Sequence, residues 1–294
     1  MSFRPRRSVL YMPSSNAKAL EKAKTLPVDG IIFDLEDAVA PDAKPAAREA
    51  AVAAVTSGEY GGRELTIRVN GLDTQWHADD IAAASAAAPD AIVVPKVGSA
   101  EEVRTLGAQM DRAGAPETTK LWAMIETPVA ILDALAIAGA SDRLGAFVMG
   151  TNDLVKELYA EHVPGRAPIL PSLHTALLAA RAAGIAIIDG VYNDVKDLDG
   201  FLAECEQGRR MGFDGKTLIH PGQVDGANRA FAPSEQAVED ARGILQAWED
   251  GAGSGVVTYN GRMVENLHVE SARRTLEIHE AIEALVEEQG TSPA

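Results

Sequence analysis

The sequence predicts a (β/α)₈ TIM-type barrel followed by a helical extension, on three grounds. Short apolar runs of four to six residues, each closing on a polar or turn residue, recur eight times between Ser8 and Ile219. Buried parallel strands have this appearance, because both faces of the sheet are covered. Ala- and Leu-rich stretches between the runs supply crossover helices, and eight such units in about 230 residues match a closed barrel in number and size. A doubly wound sheet rarely needs so many regular repeats.

The first unit has a strand over Ser8–Met12, a turn with a helix cap at Pro13-Ser14-Ser15-Asn16 and a helix over Ala17–Lys24. Gly30–Leu35 is the second strand, with Glu36-Asp37 as its acidic end and a helix over Lys44–Val55. The third strand, Leu65–Val69, closes on Arg68-Val69-Asn70-Gly71 and leads to a helix over Trp76–Ala87. Ala91–Val94 is the fourth, closing on Pro95-Lys96, with a helix after Ser99. Strands five and six, Leu121–Ile125 and Leu144–Met149, flank a helix over Ile131–Ala140; Glu126 ends one strand and Gly150-Thr151-Asn152-Asp153 the other. The last two are Gly184–Asp189 and Gly215–Ile219, the latter fed by the tight turn at Gly212-Phe213-Asp214 and followed by His220-Pro221.

Past Pro233 the repeat stops. Ser234–Glu249 reads as helix, Asp250–Gly255 as a Gly-rich joint, Val256–Tyr259 as a short strand turning at Asn260-Gly261, and Val264–Glu288 as helix. The expected organisation is therefore a catalytic barrel over 1–232 and a helical extension or lid over 233–294.

Composition narrows the function. No run of 18 apolar residues is present, which excludes a spanning helix and predicts no membrane partner. The formal charge of −16 argues against a nucleic-acid surface, which needs Lys and Arg to displace counterions from phosphate. Cys205 is the single cysteine, so neither a disulfide framework nor a cysteine zinc site can form within the chain. Met1–Met12 shows no signal peptide, and the expected compartment is the cytoplasm. Against the acidic background Arg4, Arg6, Arg7, Lys18, Lys22 and Lys24 form a local basic region, read either as a solvated helix face or as a seat for a small anion.

Residues just past the strands of a barrel face one common mouth. Here they include Glu36, Asp37, Arg68, Lys96, Glu126, Asp153, Asp189 and His220. Glu126 and Asp153, from neighbouring strands, would repel each other unless a cation lay between them, and hard oxygen ligands suit Mg²⁺. Helix capping is the alternative for either residue alone. Arg68 has the planar fork that clamps a carboxylate; its alternative is an ion pair with Glu36 or Asp37. Glu36 and Asp37 could accept hydrogen bonds from metal-bound waters, neutralised by Lys44 or Arg48, or merely favour a helix N-terminus. His220 reads as a hydrogen-bonding support, and Cys205 as inert.

In order along the chain, Arg7-Ser8-Val9-Leu10-Tyr11-Met12-Pro13, Phe33-Asp34-Leu35-Glu36-Asp37-Ala38-Val39, Arg68-Val69-Asn70, Pro95-Lys96, Ile125-Glu126-Thr127-Pro128, Gly215-Lys216 and Ile219-His220-Pro221-Gly222-Gln223 resemble the citrate lyase β-subunit-like branch of the HpcH/HpaI aldolase family. The segments Met149–Leu154 and Val264–Val269 are most similar to malyl-CoA thioesterases and their relatives. This resemblance implies a (β/α)₈ barrel, trimeric or hexameric assembly with a shared site, Mg²⁺ with Mn²⁺ as a substitute, and CoA-thioester substrates. It implies that Glu126 and Asp153 ligate the metal, that Arg68 holds the substrate carboxyl or thioester oxygen, and that Arg7 and Lys18 meet CoA phosphates. An acidic residue from a neighbouring subunit's C-terminal segment would act as acid or base. Where several members carry Met-Ile-Asp, this chain carries Met263-Val264-Glu265. The longer Glu265 side chain favours hydrolysis over C–C bond chemistry, because proton transfer is sensitive to distance. The expected enzyme is a lyase or thioesterase of malyl-CoA type; the alternatives are a citrate lyase β-like subunit needing an acyl carrier and a free-acid class II aldolase.

Overall fold

The computed structural model describes residues 3–251 and 255–289. The expected joint over 250–255 and the outer ends of the two expected domains lie partly outside them. Two compact units are present, Arg6–Ala230 and a second formed by Met1–Pro5 with Phe231–Ala294.

The first unit is a closed barrel of eight parallel strands in sequence order. Its elements are β1 (Ser8–Pro13), α1 (Ala17–Ala23), β2 (Gly30–Asp34), α2 (Lys44–Thr56), β3 (Glu64–Arg68), α3 (His77–Ala87), β4 (Ala91–Val94) and α4 (Ala100–Arg112). They continue as β5 (Lys120–Ile125), α5 (Pro128–Leu132), α6 (Ala134–Ala138), β6 (Leu144–Met149), α7 (Thr151–Glu157), α8 (Leu170–Ala183), β7 (Ala186–Asp189), α9 (Leu198–Met211), β8 (Gly215–Leu218) and α10 (Val224–Phe231). Alternate strand residues point inward, so Val9, Ile32, Val93, Trp122, Val148 and Ile188 meet in one buried cluster and fill the barrel rather than leaving a pore.

The amino ends of the strands are closed by ion pairs. Arg6 forks onto Glu64 at 2.7 Å through both Nε and Nη2 and stacks over Trp122, 5.4 Å from the ring centroid. Any Cβ on Gly215 would overlap the Arg6 carbonyl, which explains a glycine at the start of β8.

Several expected boundaries move. The helix expected over Ile131–Ala140 is two short ones, α5 and α6, meeting at Asp133, whose N–H reaches back to the carbonyls of both Ile131 and Val129. The seventh strand starts at Ala186 because Gly184 ends α8 in the left-handed region, φ +70°, a conformation glycine adopts without a Cβ penalty.

The second unit contains α11 (Glu235–Asp250), β9 (Val257–Tyr259), β10 (Arg262–Val264) and α12 (Asn266–Gln289). The expected short strand and its turn at Asn260 and Gly261, both at positive φ, are present, and a second strand beyond the turn, β10, which was not expected, pairs with β9 as an antiparallel hairpin. Arg262–Val264 is therefore strand, and the long helix starts two residues later than Val264. No helix among the described residues is long and apolar enough to cross a membrane.

One buried polar cluster lies beside the barrel mouth. Asp189, fully buried, receives Arg166 Nη1 at 2.7 Å and Lys216 Nζ at 3.3 Å, and Lys216 also pairs with Glu204 at 2.7 Å. Burial alone would raise the Asp189 pKa, but the two cations outweigh it and hold the carboxyl below its ordinary value. Removing this carboxylate leaves buried positive charge with too little compensation. Asp189→Ala is expected to cost about 3–5 kcal/mol in urea denaturation; a loss under about 1 kcal/mol would contradict the reading.

Candidate active site

β5 and β6 pair in parallel with Ile125 beside Met149, so the residues that follow emerge side by side at the carboxyl end of the barrel. Glu126 comes first after β5, and the Gly150 N–H bonds the Ile125 carbonyl at 3.2 Å. The Glu126 side chain lies directly over Gly150, where any Cβ would overlap its carboxylate. Asp153 follows in the first turn of α7, partly exposed. The capping alternative fails for Glu126, since Thr127 caps α5 by accepting the Ala130 N–H at 3.2 Å.

Glu126 is 2 % exposed, and its Oε1 accepts the Lys96 backbone N–H at 2.7 Å. Lys96 sits in the left-handed region at φ +54°, unusual for a residue with a side chain. That kink directs the amide at Glu126 while the ammonium stays exposed. Burial lowers the Lys96 pKa, but Asp153, Glu36, Glu126 and Asp37 overcome this and raise it.

Arg68, the last residue of β3, stands beside Asp34 in the β2–β3 ladder. Its Nε and Nη2 fork onto Asp34 at 2.7 Å each, its Nη1 lies 2.7 Å from Glu36, and its plane rests 4.7 Å from the Tyr11 ring centroid. Arg68 thus makes an ion pair and also lines the cavity. Asp37, exposed, stands 3.9 Å from the same Nη1. Lys44 serves the backbone of this turn, donating to the Leu35 and Glu36 carbonyls at 2.9 Å each, and Arg48 pairs with Asp80 at 2.7 Å; neither neutralises Glu36 or Asp37 as expected.

These groups surround a cavity of about 300 Å³ walled by Tyr11, Arg68, Met124, Glu126, Met149 and Asp153, among others. A larger one, about 430 Å³, lies beside Arg166 and Tyr192. It shares only Thr151 and Val191 with the first and contains none of Arg68, Glu126 and Asp153, which meet at the smaller cavity.

Among the described residues no group of three or more His, Cys, Asp or Glu is placed to hold a metal. The donor set is two carboxylates, which suits a cation that keeps several waters, as Mg²⁺ does. The fit is supported by the glycine that gives Glu126 room and the amide that fixes its Oε1.

The structure does not bring Arg7 to this rim. Arg7 precedes β1 and so lies at the amino end of the barrel, with its amide N–H and guanidinium bound to Asp29 at 2.7–2.9 Å. Only 8 % exposed, it has no reach to a phosphate at the mouth, which corrects the expectation of CoA contact there. Lys18 is exposed in the first turn of α1, just past the carboxyl end of β1. Glu265 belongs to the second unit, between β10 and α12, where its N–H donates to His268 Nδ1 at 3.1 Å. His220 is the support residue expected, accepting the Gly222 N–H at 3.0 Å on Nδ1. Asp34, Tyr11 and Gly150 are site residues that carried no assigned role in the sequence; a carboxylate inside the apolar run of β2 was the available signal for Asp34.

Burial first, then Asp37 and Asp34 against the opposing pull of Arg68, raises the Glu36 pKa to about 7. Glu126 is likewise raised to about 7, by burial and then by Asp153 and Glu36 against the Lys96 amide. A carboxyl with a raised folded pKa keeps its proton longer than in the unfolded chain. Stability therefore falls as pH rises from the unfolded value near 4.5 through about 7. In chelator, each group is expected to remove up to about 3 kcal/mol between pH 5 and 8, and Glu126→Gln should flatten that decline. An unchanged pH slope of stability in the variant would contradict this.

The chain is similar to curated proteins along nearly its whole length. It is 49% identical to the (3S)-malyl-CoA thioesterase of Cereibacter sphaeroides over 282 residues, covering 95% of this chain and 96% of that protein. It is 37% identical to the citrate lyase subunit beta of Escherichia coli over 280 residues, covering 93% of each. Among solved structures, CitE of Mycobacterium tuberculosis in complex with magnesium, acetoacetate and coenzyme A superposes with a TM-score of 0.76 at 29% identity, covering 94% of this chain and 98% of that one. The HpcH/HpaI aldolase/citrate lyase family matches residues 7–221, and the chain belongs to that family.

Proposed function

We propose that this protein is a Mg²⁺-dependent enzyme that hydrolyses (3S)-malyl-CoA to malate and CoA, with retro-Claisen cleavage to glyoxylate and an acyl-CoA as the other reaction open to the same site. The observation that carries the proposal is the convergence of Glu126, Asp153 and Arg68 on one cavity. Its likeness to a (3S)-malyl-CoA thioesterase at 49% identity favours hydrolysis, and the CitE complex with magnesium and coenzyme A supports both cofactor and substrate class.

Glu126 and Asp153 hold the metal, which supplies a Lewis acid and a template for the hydroxy-carboxylate end of the malyl group. Arg68 donates from its Nη1 end to the thioester oxygen and stabilises the charge that grows there. Glu36 and Asp37 accept hydrogen bonds from waters around the metal. Glu265 of a neighbouring copy is the acid/base: it takes a proton from water as the oxygen attacks the thioester carbonyl, and the C–S bond breaks as CoA leaves and is protonated. Lys18 meets the CoA phosphates. This scheme requires an oligomer whose copies share sites; we propose a homotrimer or a hexamer, acting in the cytoplasm without a nucleic-acid or membrane partner.

Purified protein with (3S)-malyl-CoA and Mg²⁺, assayed for free thiol and glyoxylate together, tests the proposal. Thiol without glyoxylate, abolished by EDTA, is expected; glyoxylate without thiol would make the enzyme a lyase, and neither would contradict the substrate. An oxyanion donor is typically worth about 2.7–4 kcal/mol, so Arg68→Ala should lose at least about 100-fold in turnover. Activity within about fivefold of wild type would contradict its role.

A further inference from the structure

Arg68 does not choose which of its edges meets a ligand. Asp34, 1 % exposed, takes the Nε–Nη2 edge at 2.7 Å on both bonds. Its own carboxylate is fixed in turn by two backbone amides of the following loop, Glu36 N–H on Oδ1 at 2.9 Å and Ala38 N–H on Oδ2 at 3.1 Å. The Tyr11 ring stacks 4.7 Å from the guanidinium carbon and restrains its tilt. With one edge and one face occupied, the Nη1 end projects toward Glu36 at 2.7 Å and the Met124 sulfur at 3.9 Å.

We propose that Asp34 is a positioning residue for the reaction: by holding the Nε–Nη2 edge of Arg68 against the fixed loop, it presents Nη1 to the substrate oxygen. This rests on the reading of Arg68 as the oxyanion donor. The pairing also changes what Arg68 supplies. A guanidinium already matched by Asp34 and Glu36 acts by aimed hydrogen bonds more than by net charge, and an aimed donor loses its value when it swings. A displacement of about 1 Å at such a site costs about 100-fold in rate. Asp34→Asn keeps an acceptor for one amide but sets an NH₂ group against the guanidinium, freeing it to move.

Two readouts test this. In protein labelled with ¹⁵N-arginine, the Arg68 Nε–H resonance, assigned by its loss in Arg68→Lys, is expected to be protected from exchange in wild type and lost in Asp34→Asn. A resonance equally protected in Asp34→Asn overturns the proposal whether or not the enzyme acts on malyl-CoA. In turnover, Asp34→Asn is expected to lower kcat about 10–100-fold with KM changed less than about threefold, and to add nothing in an Arg68→Ala background. Equal, multiplying losses in both backgrounds would make Asp34 merely structural. Should Asp34→Asn fail to fold, Arg68→Lys serves in its place: an ammonium drawn to Asp34 cannot also reach the substrate, so kcat should fall about 100-fold. Activity within about fivefold of wild type would overturn the proposal. If Arg68→Ala alone keeps full activity, the oxyanion reading fails instead, and the resonance still decides whether Asp34 holds Arg68.

Discussion

Carboxylates outnumber cations where the strands of this barrel end. Asp34, Asp37, Glu126 and Asp153 line the smaller cavity with Arg68, while Glu36 pairs with Arg68 and the Lys96 ammonium feels Asp153, Glu36, Glu126 and Asp37. Parallel strands closing into a barrel necessarily deliver the residues after each strand to one rim, so the crowding is a consequence of topology acting on where the acidic residues stand. Burial deepens it, because taking charge out of water is costly unless partners compensate. Arg68 resolves the part around β2 and β3; the part around β5 and β6 is where we propose that a divalent cation sits.

The local backbone is shaped to that division. Lys96 occupies a left-handed conformation that turns its amide onto Glu126. Gly150 leaves out the side chain that would stand where the Glu126 carboxylate lies. On the other side, the loop after β2 binds the Asp34 carboxylate through two amides before that carboxylate binds Arg68. Glu126 is thus held by main chain from the neighbouring strand end, and Arg68 by a carboxylate that the main chain of its own loop fixes, the kind of preorganisation that gives an oxygen or a guanidinium a defined aim.

The eight-unit repeat was legible in the sequence because fully buried parallel strands leave a near-continuous apolar signature, and every one of the eight runs became a strand. Glu126 and Asp153 were legible for the same reason: an acidic residue just past such a run can hardly face anywhere but the mouth. Asp34 was not, because its partner lies on the next strand, and the register that sets Asp34 beside Arg68 depends on pairing across about 30 residues. Arg7 misled through its neighbours. Grouped by charge with Lys18 it suggests one basic patch, yet it precedes β1 while Lys18 follows it, so the barrel sends them to opposite ends. The break at Asp133 had no glycine or proline to mark it.

Whether Glu126 and Asp153 share one divalent cation, as we propose, is reported by metal binding without any assumption about substrate. Titrating Mn²⁺ into the protein and following free Mn²⁺ by electron paramagnetic resonance would be the most direct test. One site per chain is predicted for wild type, weakened by at least about tenfold in both Glu126→Gln and Asp153→Asn, since even outer partners of a metal site are worth that much. Wild-type affinity in either variant would contradict the shared site.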